Sequence, residues 1–484
     1  MRTHYPTGDF MTADTAASEE LEETELKRTI TGRLLFFYVL GDVLGSGIYV
    51  LVGAVAAAVG GAFWIAFAIG ISVATLTGLA YAELVTKYPR AAGASLYVNK
   101  AFHSPPLTFL VTIAMLSASF AAAGSLATGF SGYFAELWEG PPALLIGLLF
   151  IIGLTIVNFI GITESVVANL VMTVVEIVGL AIVIIVGIIV VAKGDADFGV
   201  LTDFSPSDDN GTILAIVSGV ALGFFAMTGF ENAANIAEEC TEPRRTFPKA
   251  LIGGMVGAGL IYVAVSVASA LSLPIPELAK SDAPLLDVVE SGVLPLPAGV
   301  ITIIFALIAM TAITNTTLVA VVTQSRILYG MANEDVVPGV FAKLHSGRKS
   351  PWVGLVFSAL VVSGLLVAGA VLNETGVGVD LVTRLAAVTV VLLLFVYAMV
   401  IVAALRLRGH DESDATYRAS TPLLALGIVG NVVLLGYVVY DDPASLIWCG
   451  ALLALGVVLF VLELTFGHDD RPEGYDRGDP SLKV

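Results

Sequence analysis

Three carboxylates and two glycine-bearing interruptions stand out because they lie inside long apolar runs. The first interruption is Gly45-Ser46-Gly47, within the stretch from Gly41 to Ile48; the second is Ala226-Met227-Thr228-Gly229, within the stretch from Phe224 to Glu231. Glycine costs about 1 kcal/mol relative to alanine in a helix and leaves the backbone uncovered. A helix that unwinds at such a run inside a membrane frees N–H and C=O groups, which only a protein-lined cavity can satisfy. The amides of Ser46, Gly47 and Ile48 would open a new helical half and offer its positive N-terminus to a carboxylate. Carbonyls left over at both interruptions can accept from an ammonium. Together these groups suit a zwitterion such as an α-amino acid.

The carboxylates add ion chemistry. Glu176 sits in Met172-Thr173-Val174-Val175-Glu176-Ile177-Val178 with no basic neighbour in sequence. Burial disfavours its charged form, which suits a proton carrier, the favoured reading. It could also ligate sodium together with span 1 carbonyls and span 8 hydroxyls, or stay neutral and hydrogen-bond between helices. Glu231 follows the second interruption. It could pin the unwound segment by accepting from a backbone N–H, gate a path, or bind a cationic side chain; pinning or gating is preferred. Asp42, three residues before the first interruption, is expected to serve a similar purpose.

The elements that carry these residues are membrane spans. The 484 residues are 57% hydrophobic and only 13% charged, where a soluble domain carries about 25% charged residues, and the mean hydropathy is +0.91. Apolar runs long enough to cross ~30 Å of hydrocarbon predict twelve spans, at about 34–59, 63–86, 107–134, 142–160, 166–192, 212–238, 249–273, 297–330, 352–372, 380–405, 421–440 and 444–466. Sorting the 23 Lys and Arg over the alternating connections leaves only Lys193, Lys280 and Arg384 on one side. By the positive-inside rule this places both termini in the cytoplasm of a cell-membrane protein. Glu83, near the cytoplasmic end of span 2, is expected to pair with a basic residue there.

Other classes find no support. Cys240 and Cys449 make neither a disulfide framework nor a metal spacing, and all five histidines fall in tails or connections. No Walker-type run is present, and the N-terminus does not read as a signal peptide. A channel would want filter loops or rings of charge. The net charge of -18 and the acidic tails suggest a protein from a halophilic prokaryote, because acidic surfaces stay soluble where salt screens their repulsion.

A Gly-x-Gly run alone also fits close helix packing. Here, however, the interruptions fall in the first and sixth spans, which cross in opposite senses. That pairing is the sequence pointer to a midplane transporter site between inverted halves. The stretch GDVLGSGIYVLVG (41–53), Tyr81-Ala82-Glu83-Leu84 with Tyr88-Pro89, GFFAMTGFENAANIAEE (223–239) with Pro243-Arg244-Arg245, and Ser325-Arg326-Ile327-Leu328-Tyr329-Gly330-Met331-Ala332 resemble the amino acid–polyamine–organocation permeases, in order and spacing, from about residue 30 to 405.

The resemblance implies an all-α polytopic membrane protein of twelve transmembrane helices: a LeuT-like 5+5 inverted repeat (34–192 and 212–405) plus two accessory helices (421–466), between acidic cytoplasmic tails (1–33 and 467–484). It implies a non-enzymatic secondary active transporter of an amino acid working by alternating access. A polyamine or other organic-amine transporter, or an amino acid exchanger, is the alternative, and a non-transporting sensor a weaker one. Amides at Gly45, Ser46, Gly47 and Ile48 would hold the carboxylate, and carbonyls of Val43, Phe225, Ala226 and Thr228, beside Gly229, the amine. Phe230 would close over the substrate, while Ser119, Met227 and Asn315 would set side-chain specificity. In proton-coupled relatives a Lys midway along span 5 stands where sodium-coupled ones hold sodium; here that position is Glu176. The expected partners are a small amino acid or amine, a proton in preference to sodium, and the lipid bilayer, with no nucleic acid, metal or cofactor.

Overall fold

A computed structural model describes residues 26–45, 47–138, 140–204, 211–281, 283–291, 297–374, 381–410, 413 and 416–466. Most of the expected N-terminal tail and all of the expected C-terminal one lie outside these residues. The described chain is helical: α1 (Gly32–Leu44), α2 (Gly47–Val59), α3 (Trp64–Lys87), α4 (Gly93–Phe102), α5 (Pro105–Leu137), α6 (Ala143–Ile160), α7 (Ile162–Lys193), α8 (Thr212–Phe225), α9 (Pro243–Ser272), α10 (Ile275–Leu278), α11 (Pro284–Glu290), α12 (Ala298–Asn333), α13 (Trp352–Glu374), α14 (Leu381–Arg406), α15 (Thr421–Asp441) and α16 (Ser445–Phe466). Their starts follow local chemistry. The Thr31 hydroxyl caps α1 by accepting from the Leu34 N–H, and prolines open α5, α9 and α11, where the missing N–H is no loss.

Among the described residues, ten helices are long and apolar enough to cross a membrane, and eleven when the bent first pair counts as one span. The shortfall from twelve falls on α16, whose described apolar part, Ser445–Ala454, is short. Side chains sort accordingly. On α6, Leu145, Leu149, Ile152 and Ile156 repeat every three or four residues and are exposed, a face for lipid rather than water. The interior is an assembly in which α9 packs on α1, α3 and α7, while α12 and α14 both pack on α5. Arg326, sorted with a connection by its charge, falls inside the expected span 297–330. It lies inside α12 at 1% exposure, because Glu239 meets it there.

Candidate functional site

Both interruptions are breaks in helices. α1 ends where the Gly45 N–H donates to the Gly41 carbonyl at 3.1 Å, and α2 begins at Gly47; Ser46, expected to line the site, lies outside the described residues. The run Gly32–Tyr49 meets Leu51–Val59 at 65°, so the first span does not cross as one rod. α8 stops at Phe225, the chain turns through Ala226–Gly229, and a 3₁₀ helix continues as Phe230–Glu239. Gly229 has φ 119°, a conformation that L side chains rarely adopt. The breaks touch each other. A Cβ on Gly47 would lie 2.5 Å from the Ala226 Cα, and one on Gly229 would lie 2.9 Å from the Asp42 carboxyl carbon.

Side chains hold this arrangement. The Glu231 carboxylate accepts at Oε2 from the Gly229 N–H (2.8 Å) and from the Tyr397 hydroxyl (2.6 Å). The Asn232 amide donates to Asp42 Oδ2 at 2.8 Å. The Tyr262 hydroxyl, on α9, reaches the carbonyl of Val43 in one break and that of Ala226, at 2.8 Å, in the other. One phenolic proton therefore serves two acceptors. The Thr228 hydroxyl donates to the Phe225 carbonyl at 2.8 Å. Three of the carbonyls expected to hold an amine, those of Val43, Phe225 and Ala226, thus already accept from protein side chains.

The breaks wall one side of a cavity of about 70 Å³, through Gly45, Gly47, Phe225, Ala226, Thr228 and Gly229 together with the carboxylates Asp42 and Glu231. The other side comes from α5, α12 and α14. Ser119 lines it; Val43, Ile48, Met227, Phe230 and Asn315 do not. Met227 is buried with its thioether against Gly70 of α3. Phe230 packs edge-on to Tyr81 (5.8 Å between centroids) and beside Tyr397 (5.1 Å), because the Gly229 turn swings it into that aromatic cluster. The aromatic at the cavity is Phe225. With Gly47 and Leu126 it also lines a vestibule of about 740 Å³ that runs to Ala283, Asp441 and Asp442.

Asn315 belongs to a second, fully buried group. Its amide donates to Glu176 Oε1 (3.0 Å) and lies 3.2 Å from the Thr173 hydroxyl, and its oxygen accepts from Asn169 at 2.7 Å. Glu176 Oε2 has no hydrogen-bond partner among the described residues. The group is tied to the first break at two points. The Thr173 hydroxyl sits so close to Gly41 that a Cβ there would meet it at 1.8 Å, and Tyr49 of α2 donates to the Glu176 carbonyl at 3.0 Å.

The face carrying the N-terminal segment is sealed. The N–H groups of Thr29 and Ile30 donate to the Glu239 carbonyl (3.0 and 3.1 Å), and that of Thr241 donates to Ile30 at 2.8 Å. Arg326 and Glu239 pair at 3.3 Å, each 1% exposed. Arg408 grips Glu83 with two hydrogen bonds of 3.1 and 2.9 Å, the partner expected for Glu83. The vestibule lies toward the opposite end of α15, a helix of 21 residues or roughly 30 Å.

Comparison with known proteins agrees with this architecture. Residues 32–462 match the family described as amino acid permease. The branched-chain amino acid permease BcaP of Bacillus subtilis (strain 168) is 27% identical over 91% of this chain and 94% of its own length. The methylthioribose transporter of the same organism is 26% identical over 89% and 95%. The chloroplastic cationic amino acid transporter 9 of Arabidopsis thaliana is 26% identical over 63% of this chain and 55% of its own length. These relatives are transporters, not enzymes. With a family match over most of its length, the chain belongs to the amino acid permease family.

Proposed function

We propose that this protein is a secondary active transporter that carries an amino acid across the cell membrane by alternating access, with proton movement through Glu176 driving uptake. The observation that carries this reading is the convergence of two broken helices on one cavity with a vestibule on one face and a seal on the other. The broken helices in the first and sixth spans support a LeuT-like layout of twelve spans in two inverted halves, and the Lys and Arg sorting supports cytoplasmic termini. Names such as branched-chain amino acid permease and cationic amino acid transporter among the relatives support an amino acid as cargo. The start of α2 at Gly47 supports a seat for its carboxylate there, since the Gly45 N–H is already given to the Gly41 carbonyl. Glu231 pins the second break, and its bond to Tyr397 fits a gating role.

Glu176 is a carrier candidate because its second oxygen is unpartnered while Thr173 and Tyr49 tie its helix to the first break. Replacing Glu176 by Gln keeps the bond from Asn315 and removes the titration. Uptake driven by a pH gradient should be lost in that variant while exchange persists. Unchanged driven uptake would remove Glu176 as the carrier. The whole reading is tested in proteoliposomes with a panel of labelled amino acids and amines under separate proton and sodium gradients. Uptake of amines alone would favour an organic-amine transporter, and no uptake of either class would sink the reading.

A further inference from the structure

The cavity wall facing the breaks shows what kind of side chain it can receive. Its residues come from α5, α12 and α14, chiefly Met115, Ala118, Ala122, Ala320 and Leu393, plus three hydroxyls. Each hydroxyl carries a single donor, and each donor is committed. Ser119 donates to the Ala320 carbonyl (3.3 Å), Thr389 to the Ala118 carbonyl (3.2 Å) and Thr316 to the Ala312 carbonyl (3.3 Å). Among the described residues, no charged side chain from these three helices lines the cavity.

Both carboxylates belong to the opposite wall, where Asp42 keeps one oxygen, Oδ1, with no partner among the described residues. Glu231 accepts from Gly229 and Tyr397, and Asp42 accepts from Asn232. With its head at the breaks, where both carboxylates lie, a substrate with a distal ammonium, guanidinium or carboxylate would bury the distal charge against alanine and leucine with no counter-ion on that wall, which is strongly disfavoured. A distal hydrogen-bond acceptor would find no free hydroxyl donor either. Room at that wall is also limited: the cavity of 70 Å³ is space for about five water molecules, and what it shares with the vestibule is Gly47, Leu126 and Phe225 rather than the alanines. Ala118, Ala122 and Ala320 carry the smallest side chains on that wall.

We infer that the site selects a neutral amino acid with a short aliphatic side chain, held against Ala118, Ala122 and Ala320 while its charged head faces the two breaks. This rests on the transporter reading above and names its substrate class. Ala122 and Ala320 are then specificity-determining residues, because a larger side chain at either fills the space that the substrate's branched carbons would occupy.

The full-length protein in proteoliposomes tests this with labelled valine, leucine, isoleucine, alanine, lysine and glutamate. The aliphatic amino acids should exceed lysine and glutamate in kcat/KM by at least about a hundredfold. Ala320→Leu should lower the leucine-to-alanine preference by at least about tenfold, the scale set by one or two methylenes in an apolar pocket. Ala122→Val, a smaller change on a different helix, should shift that ratio in the same direction and serves where Ala320→Leu does not fold. Lysine or glutamate carried as well as leucine would overturn the aliphatic subsite and leave the transporter reading standing. An unchanged ratio in the variant that folds would overturn it too. Failure to carry any amino acid would overturn the transporter reading itself.

Discussion

The two breaks border one cavity, yet they are held open by different means. The second is braced largely from within its own segment: Glu231 returns to the Gly229 N–H two residues back, and Thr228 bonds the Phe225 carbonyl. The first leans on its surroundings. Tyr262 takes the Val43 carbonyl, Asn232 takes Asp42, Thr316 presses on Gly45 and Ala226 on Gly47. One break is therefore a built-in turn, and the other is a gap whose shape its neighbours set. A movement of α12 reshapes the first break through Thr316, whereas a movement of α9 reaches both breaks through Tyr262 and the second keeps its own internal bonds.

The largest effect should come from Gly47→Ala. The new Cβ meets Ala226 backbone, which cannot swing aside as a side chain would. Forcing the breaks apart costs about 3 kcal/mol in thermal or denaturant unfolding. A shift of order 1 Å at the site lowers uptake about a hundredfold. Next in its effect on uptake is Glu231→Ala, which orphans the buried Gly229 N–H and Tyr397 hydroxyl and can match Gly47→Ala in stability, at about 1–3 kcal/mol for each orphaned group. Glu231→Gln keeps an acceptor and should recover much of that stability.

Tyr262→Phe should cost less, about 1–2 kcal/mol, since a single proton is lost. Its signature is a raised KM for every substrate with the preference order unchanged. If Tyr262→Phe destabilises the protein more than Glu231→Ala, the contrast between a self-braced and a borrowed break fails. The smallest effect belongs to Asp42→Asn, which keeps an oxygen for Asn232 and should stay below about 1 kcal/mol. A large loss of uptake there would show that the charge of Asp42 matters to the first break beyond its geometry.

Ten or eleven spans were legible in sequence because the bilayer sets apolar length, whatever the tertiary contacts. The breaks were legible because Gly45, Gly47 and Gly229 weaken a helix wherever they occur. The opposite wall was not. α5, α12 and α14 carry apolar or small residues on most faces, so no periodicity separates Ala118, Ala122, Ala320 and Thr389 at the cavity from equally buried neighbours. Asn315, read as a specificity residue, instead serves the Glu176 group, one residue before the cavity-lining Thr316 and on a different face of α12. Tyr262 gave no local signal at all, since its role depends on two carbonyls more than thirty residues distant. Phe225 and Phe230 show the same limit: only the Gly229 turn decides which ring meets the cavity.

The buried pair of Arg326 and Glu239 bears on how fast a closed face can open. Two ions at 1% exposure have surrendered their hydration, an effective loss of several kcal/mol per ion that their mutual attraction offsets. Parting them into water restores that hydration, so opening trades one form of stabilisation for another. A plug of leucines in the same place would gain nothing on parting and lose about 25 cal/mol for every Å² exposed. Under the proposed alternating access this face opens and reseals on every turnover, and an ionic seal would keep the two forms near in free energy and the step between them reversible.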